Sequence, residues 1–286
     1  MKYNRFIAFL LFACICITVL CSCGKKDTLS LNSTLFTELE AQEVDIEWLD
    51  NYWHNDGTGY SGTQFKIVER DGNIFLEETE YHKAYYYVKT FSCVVGYKYL
   101  VAVDYYKGDY WIAAYDNGTS YIEGATSERL LEMRCTGILP GQKYTSYDDV
   151  NYKWYRDYDV AYLFVREHEY KDLPTLEDYD KGYIYRYRMI NEDEYKLEKF
   201  AELDYVGTAF MMDEDDIIVA TEGGLYSVDP TGEVTQLFTS EYWCHLGFSS
   251  IVKIDNAYYL GTHAGILKYD LDTKQDVWYP YYNIEE

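Results

Sequence analysis

The side chains able to do chemistry are spread along the chain rather than gathered. Five histidines, His54, His82, His168, His245 and His263, are widely separated. No G-x-x-x-x-G-K-S/T loop is present to cradle phosphate, and there is no H-E-x-x-H. A G-x-S-x-G elbow and a C-x-x-C pair are missing too. "DLDTKQD" brings Asp270, Asp272 and Asp276 together, and "EDYDKG" offers Asp178 and Asp180. Calcium takes several hard oxygens from a tight loop, but neither stretch has the EF-type spacing with its closing Glu. Both read as polar turns. "SVDPTG" carries Ser227 and Asp229, yet its Gly232 falls one residue late for an Asp box and no Trp follows. The expectation is no catalytic residue, no metal and no cofactor.

What remains is a set of turn residues, and a repeat places them. "DIIVATEGGLYSVDPTGEVTQLF" and "AYYLGTHAGILKYDLDTKQDVWYP" share one phrase at an offset of 41, Ile217 meeting Tyr258. Thr221 then meets Thr262, Gly224 meets Gly265 and Asp229 meets Asp270. Each copy reads strand, tight turn, strand, polar turn, strand, with no helical period. Units of this kind near 40 residues build β-propellers, because one blade alone leaves a bare hydrophobic face. Residues 44–286 leave room for five to seven four-stranded blades, and an all-β fold is expected. Residues 99–124 and 160–200 keep the rhythm loosely, the latter with a long insert. Residues 125–158 fit only as one irregular blade. "DIEWLDNYW", residues 45–53, is the candidate strand for closing the ring against the last blade.

The register puts Glu222 and His263 in equivalent hairpins, between second and third strands of a blade. By the same register Glu167 and His168 open the long insert, and Asp104 and Tyr105 occupy the matching turn. These six residues are the candidate ligand-binding rim, with residues 169–181 as its longest loop.

The two clean copies resemble the two-component regulator propeller repeat. Its consensus runs aromatic-Ile-Gly-Thr, two residues, Gly-Leu, then Tyr-Asp; "YLGTHAGILKYD" matches it well and "VATEGGLYSVD" in part. Kelch repeats are a neighbouring likeness through "YDLDTKQDVW". The resemblance implies a propeller that often serves as the extracytoplasmic ligand-sensing half of a signalling chain. No kinase or later membrane helix is read here, so that role does not carry over.

The start of the chain reads as an address. Lys2 and Arg5 precede a 15-residue apolar run, Phe6 to Leu20. As a helix the run would be about 22 Å long, short for a core about 30 Å thick, so it suits a signal segment. "LCSC", Leu20 to Cys23, resembles the bacterial lipoprotein box. That resemblance implies cleavage after residue 22 and diacylglyceryl attachment to Cys23, with palmitate as a typical chain. Residues 23–43 then read as a polar tether. The expected location is the extracytoplasmic side of a bacterial membrane, held by lipid.

The net charge is -24, or -26 once Lys2 and Arg5 are removed. Such a body repels phosphate backbones, so nucleic acid is excluded as a partner. Cys93, Cys135 and Cys244 remain beyond the signal, odd in number and widely spaced, and read as small buried hydrophobes. The 35 tyrosines read mainly as sheet filler. The expected function is a non-catalytic binding or scaffold module for a protein or glycan. A hydrolase or lyase with its site at the channel mouth, and a sensing accessory to a membrane receptor, remain open. The oligomeric state is not legible.

Overall fold

The computed structural model describes residues 27–32, 37–55, 65–78, 88–95, 98–105, 111–116, 127–131, 134–141, 159–166, 181–191, 193–262 and 264–281. Regular structure in them is almost entirely antiparallel strand. The described residues begin with an antiparallel pair, β1 (Thr28–Ser30) and β2 (Glu38–Glu40), then a helix α1 (Ile46–Asn55). Sheet I pairs β3 (Phe65–Arg70) with β4 (Asn73–Glu78). Sheet II runs β5 (Val88–Val95), β6 (Lys98–Tyr105), β7 (Trp111–Asp116), β8 (Ser127–Leu131). Sheet III runs β9 (Arg134–Pro140), β10 (Val160–Arg166), β11 (Gly182–Met189), β12 (Tyr195–Leu203). Sheet IV runs β13 (Gly207–Asp213), β14 (Asp216–Thr221), β15 (Gly224–Val228), β16 (Val234–Thr239). A 3-10 turn η1 (Glu241–His245) leads to sheet V: β17 (Phe248–Ile254), β18 (Ala257–Thr262), β19 (Gly265–Asp270), β20 (Gln275–Pro280).

The strands β14 and β15 show why the chain stacks. Every residue of "IIVAT" and "GLYSV" is buried. A strand has two faces with period two, so a run buried throughout needs a neighbour on each side. Ile217 and Val219 join a core with Tyr162, Phe164 and Ile184 of sheet III. Ile218 and Ala220 join one with Tyr258, Leu260 and Leu267 of sheet V. Sheet III turns its other face, Leu163, Val165 and Tyr187, onto Cys93, Val95 and Leu100 of sheet II. Sheet V turns Ile266 and Tyr279 onto Ile67 and Ile74 of sheet I. The sheets therefore pack in the series II, III, IV, V, I, and first strands neighbour first strands. The described residues do not show a closed propeller.

Polar bonds cross the same seams. The Thr136 hydroxyl donates to the Gly207 carbonyl (2.9 Å), joining III to IV. Tyr269 donates to the Leu237 carbonyl (3.0 Å), and Lys253 and Tyr258 both reach the Asp213 carboxylate, joining V to IV. The Ile67 amide donates to Ser250 Oγ (2.9 Å), joining I to V.

Two expectations are corrected. Residues 45–53 form a helix, not a closing strand. The Asp45 carboxylate accepts the Trp48 amide (2.9 Å) and its carbonyl accepts the Leu49 amide (3.0 Å), which is a helix N-cap. The helix buries Leu49 and leaves Ile46 42% exposed, where an alternating strand would have put Ile46 and Trp48 on one face. Pairing with the last sheet does occur, but earlier: the Gln42 amide donates to the Trp278 carbonyl (2.9 Å). Residues 125–158 are not one blade, since β8 completes sheet II and β9 opens sheet III. Farther upstream β1 pairs with β2, and Leu31 and Leu39 are buried.

Candidate binding rim

The repeat signature turns out to be turn chemistry. Thr221 and Thr262, both fully buried, end the second strands of sheets IV and V. Thr221 Oγ1 accepts the Gly223 and Gly224 amides (3.2 and 3.1 Å) and donates to the Gly224 carbonyl (3.0 Å). Thr262 Oγ1 does the same with the Ala264 and Gly265 amides (3.2 and 3.0 Å) and the Gly265 carbonyl (3.0 Å). One hydroxyl thus satisfies three buried backbone groups. Thr262→Val leaves them unmet and is expected to cost about 1–3 kcal/mol, read as a lower urea midpoint with an unchanged slope.

The repeat aspartates close the opposite turns. Asp229 Oδ1 accepts the Thr231 hydroxyl (2.7 Å) and the Thr231 and Glu233 amides. Asp270 Oδ1 accepts the Thr273 and Asp272 amides and the Thr273 hydroxyl. These donors hold both carboxyls below the usual carboxylate range, the Thr231 hydroxyl leading for Asp229 and the Thr273 amide for Asp270. Asp276 is engaged elsewhere, accepting Tyr242 and the Trp243 indole (3.0 Å). Among the described residues no three His, Cys, Asp or Glu are arranged to hold a metal ion.

A third equivalence is a bulge in each first strand, at Thr136, Thr208 and Ser249. Each bulged hydroxyl donates to a carbonyl of the strand beside it: Phe164, Ala220 and Gly261, at 3.3, 3.4 and 3.3 Å. The bulges fall where the first strands begin, beside the second-to-third turns.

In antiparallel sheets of this order, those turns share one end with the crossover from each fourth strand to the next sheet. Glu222 lies there, half-buried, in the β14–β15 turn. The crossover between IV and V is η1, and α1 packs against it. His245 Nδ1 meets Asp50 Oδ1 at 2.6 Å. Cys244 Sγ donates to the Glu241 carbonyl at 3.0 Å. Burial first, then the Glu222 charge, pushes that thiol up, so it stays protonated and is a poor nucleophile. Cys93 and Cys135 are buried free thiols, and burial pushes Cys93 up to about 12.

Asp104 and Tyr105 end β6, facing Lys89 and Val88 in register, where the chain enters the second-to-third connection of sheet II. Glu167, His168, His263 and Cys23 lie outside the described residues, as does the insert up to residue 180. The sequence reading missed Asp50 and Glu241, and it left His245 without a partner. Reading 45–53 as helix, from Asp45 before an apolar pair, would have brought Asp50 to this end. It also missed that Gly182 is a third copy of Gly224 and Gly265. Aligning on Gly182 sets Arg166, its register partner, in the Thr221 and Thr262 position.

Among the described residues no helix is long and apolar enough to cross a membrane. No known protein family and no curated protein matches the sequence. Solved structures similar to it include a GH43 glycoside hydrolase engineered to display endo-xylanase and exo-arabinofuranosidase activity. That likeness has a TM-score of 0.30 and 8% identity, over 68% of this chain and 41% of the other. Another is the extracellular domain of a one-component system from B. thetaiotaomicron, at TM-score 0.27 and 14% identity, over 75% of this chain and 34% of the other. The chain spans less than half the length of either, and scores this low carry no argument about substrate or partner.

Proposed function

We propose that this chain is a lipid-anchored, extracytoplasmic β-propeller of five to seven blades that binds a protein or glycan ligand without turning it over. The observation that carries the reading is the equivalence of sheets III, IV and V. The same bulge and the same third-strand glycine recur in each, while the residues at the second-to-third turns differ. A constant scaffold presenting variable loop residues at one end is the usual arrangement of a recognition surface. The carboxylates of Asp213, Asp229, Asp270 and Asp276 are each engaged by the fold's own donors, which favours binding over acid–base work.

The test is a glycan-array screen beside a pull-down with the chain from residue 24 onward. Alanine at Glu222, His168 and His263 is expected to weaken whatever is captured; unchanged capture by all three removes the rim. Turnover of a captured glycan replaces this reading with the hydrolase or lyase one. The anchor is tested separately. Two or three acyl chains at about 0.8 kcal/mol per buried CH₂ hold a protein firmly, so Cys23→Ser is expected to move the protein from membranes to the soluble fraction and abolish palmitate labelling.

A further inference from the structure

We infer that the end of the sheets opposite the rim faces the bilayer on a short leash, so that the rim points away from the lipid, toward ligands arriving from outside. The inference rests on the lipid anchor at Cys23 proposed above and deepens the binding reading.

The first described residues fix where the leash ends. The Ala41 amide donates to the Asp27 carbonyl (2.8 Å), the Leu31 amide to the Thr37 carbonyl (2.9 Å) and the Asn32 amide to the Ile74 carbonyl (2.9 Å). Asp27 is therefore already tied in beside β2, and Asn32 to sheet I. From Cys23 to Asp27 the chain takes four steps, a reach of at most about 14 Å. Whichever end of the sheets carries Asp27 stays by the membrane.

Strand direction says which end that is. Asn32 bridges Phe75 of β4 in parallel. β4 is a second strand, so it runs from the β3–β4 turn toward the second-to-third end, where the rim lies. The segment before Asn32 is extended, and continuing the parallel register sets Thr28 level with Asp71, in the β3–β4 turn. Asp27 thus leaves at the far end from the rim. Sheet I runs in the same sense as its neighbour: Ile67, third residue of β3, meets Ser250, third residue of β17. The Tyr259 hydroxyl agrees. Burial first, then the charges of Asp255, Asp27 and Asp270, push it up, and Asp255 and Asp270 lie at the first-to-second and third-to-fourth turns of sheet V. The second strands of sheets IV and V have six residues. At about 3.3 Å per residue they set the rim about 20 Å further out.

Charge keeps the far end clear of the lipid without turning it over. Its turns expose Asp71, Glu214, Asp215, Glu233, Asp255 and Asp272, which an anionic surface repels. At physiological salt that repulsion fades over about 8 Å, less than the leash allows, so the end hovers rather than docks.

The experiment places one fluorophore at a time on the full-length, lipidated protein in phosphatidylcholine vesicles whose headgroups carry a quencher. Cys93 and Cys135 are buried, and Cys244→Ser removes the half-buried thiol, so one introduced cysteine takes the label. Asp272→Cys reports the far end and Glu241→Cys, in the crossover, reports the rim; both positions are exposed. The lipid quencher is expected to dim the Asp272→Cys probe several-fold more than the Glu241→Cys probe, while iodide in the water dims both alike. Asn256→Cys, exposed at the far end, gives the same reading if Asp272→Cys fails to fold. A Gly/Ser insert of about 20 residues between Lys26 and Asp27 lengthens the leash by about 25 Å and is expected to shrink the difference. Equal dimming at the two ends, stronger dimming at Glu241→Cys, or a difference the insert leaves unchanged overturns the orientation and leaves the anchor standing, since vesicle flotation reads the anchor separately. A parent chain that stays off the vesicles, or a Cys23→Ser chain that still floats with them, removes the anchor and this orientation with it.

Discussion

Trp243→Ala is expected to lower the stability of the chain by about 3–5 kcal/mol, the cost of deleting a buried large aromatic. Trp243 is fully buried at the crossover between sheets IV and V. Its ring lies 5.2 Å from Phe238 of sheet IV and 4.9 Å from Phe248 of sheet V. Its indole N–H donates to Asp276, and Leu49 of α1 shares the same core. One side chain therefore holds two sheets and a helix together, and no neighbour can close over the hole without parting another seam. A loss of this size is a large fraction of the 5–15 kcal/mol typical of a folded chain. In urea it is expected as a fall of about 1–2 M in midpoint. Trp243→Phe keeps most of the ring contacts and loses only the bond to Asp276, so its fall is expected to be much smaller. A small change in Trp243→Ala would show that the two sheets do not depend on this contact.

Gly265→Ala is the second large effect, and its sign is the informative part. A strand glycine ordinarily gains about 0.5–1 kcal/mol on becoming alanine, through a less free unfolded chain. Here an added Cβ would sit 2.4 Å from the Tyr279 carbonyl oxygen and 2.8 Å from Pro280 Cα. Both atoms are backbone of the paired strand β20 and cannot rotate away. The expected result is destabilisation by about 2–3 kcal/mol. Gly224→Ala should behave alike, since its Cβ would meet the Phe238 carbonyl at 2.2 Å. A stabilised Gly265→Ala in thermal melts would contradict the close pairing of β19 with β20.

These glycines show what could be read in advance. Residues 217–228 and 258–269 spell one unit because the same three backbone problems, two tight turns and one close strand approach, have the same few side-chain solutions. Thr, Gly and Asp recur for that reason, and an offset of 41 makes them visible. Sheet III solves the first problem differently, with a long connection, so Arg166 replaces the threonine and Gly182 alone keeps the phrase. The boundary inside 125–158 was hidden because β8 and β9 are separated by just two residues, Glu132 and Met133, which is too little punctuation to divide two sheets. Residues 45–53 misled because Ile46, Trp48 and Tyr52 fall at even positions as on one face of a strand, while the decisive signal was the single carboxylate of Asp45. The inter-sheet bonds of Asp213 with Lys253 and Tyr258 join residues about forty positions apart. No local pattern announces them.

The strap formed by residues 27–32 and 37–49 has a consequence for how this chain folds. It leaves the ribosome before any of the sheets, yet its partners are the Ile74 carbonyl in sheet I, the Trp278 carbonyl in β20 and the Trp243 cluster. Two of those, Trp278 and Trp243, lie far along the sequence from it. Contacts so remote in sequence form slowly, because a long loop must close before they repay the ordering. The segment therefore docks late in folding, once sheets I and V present the surfaces that receive it.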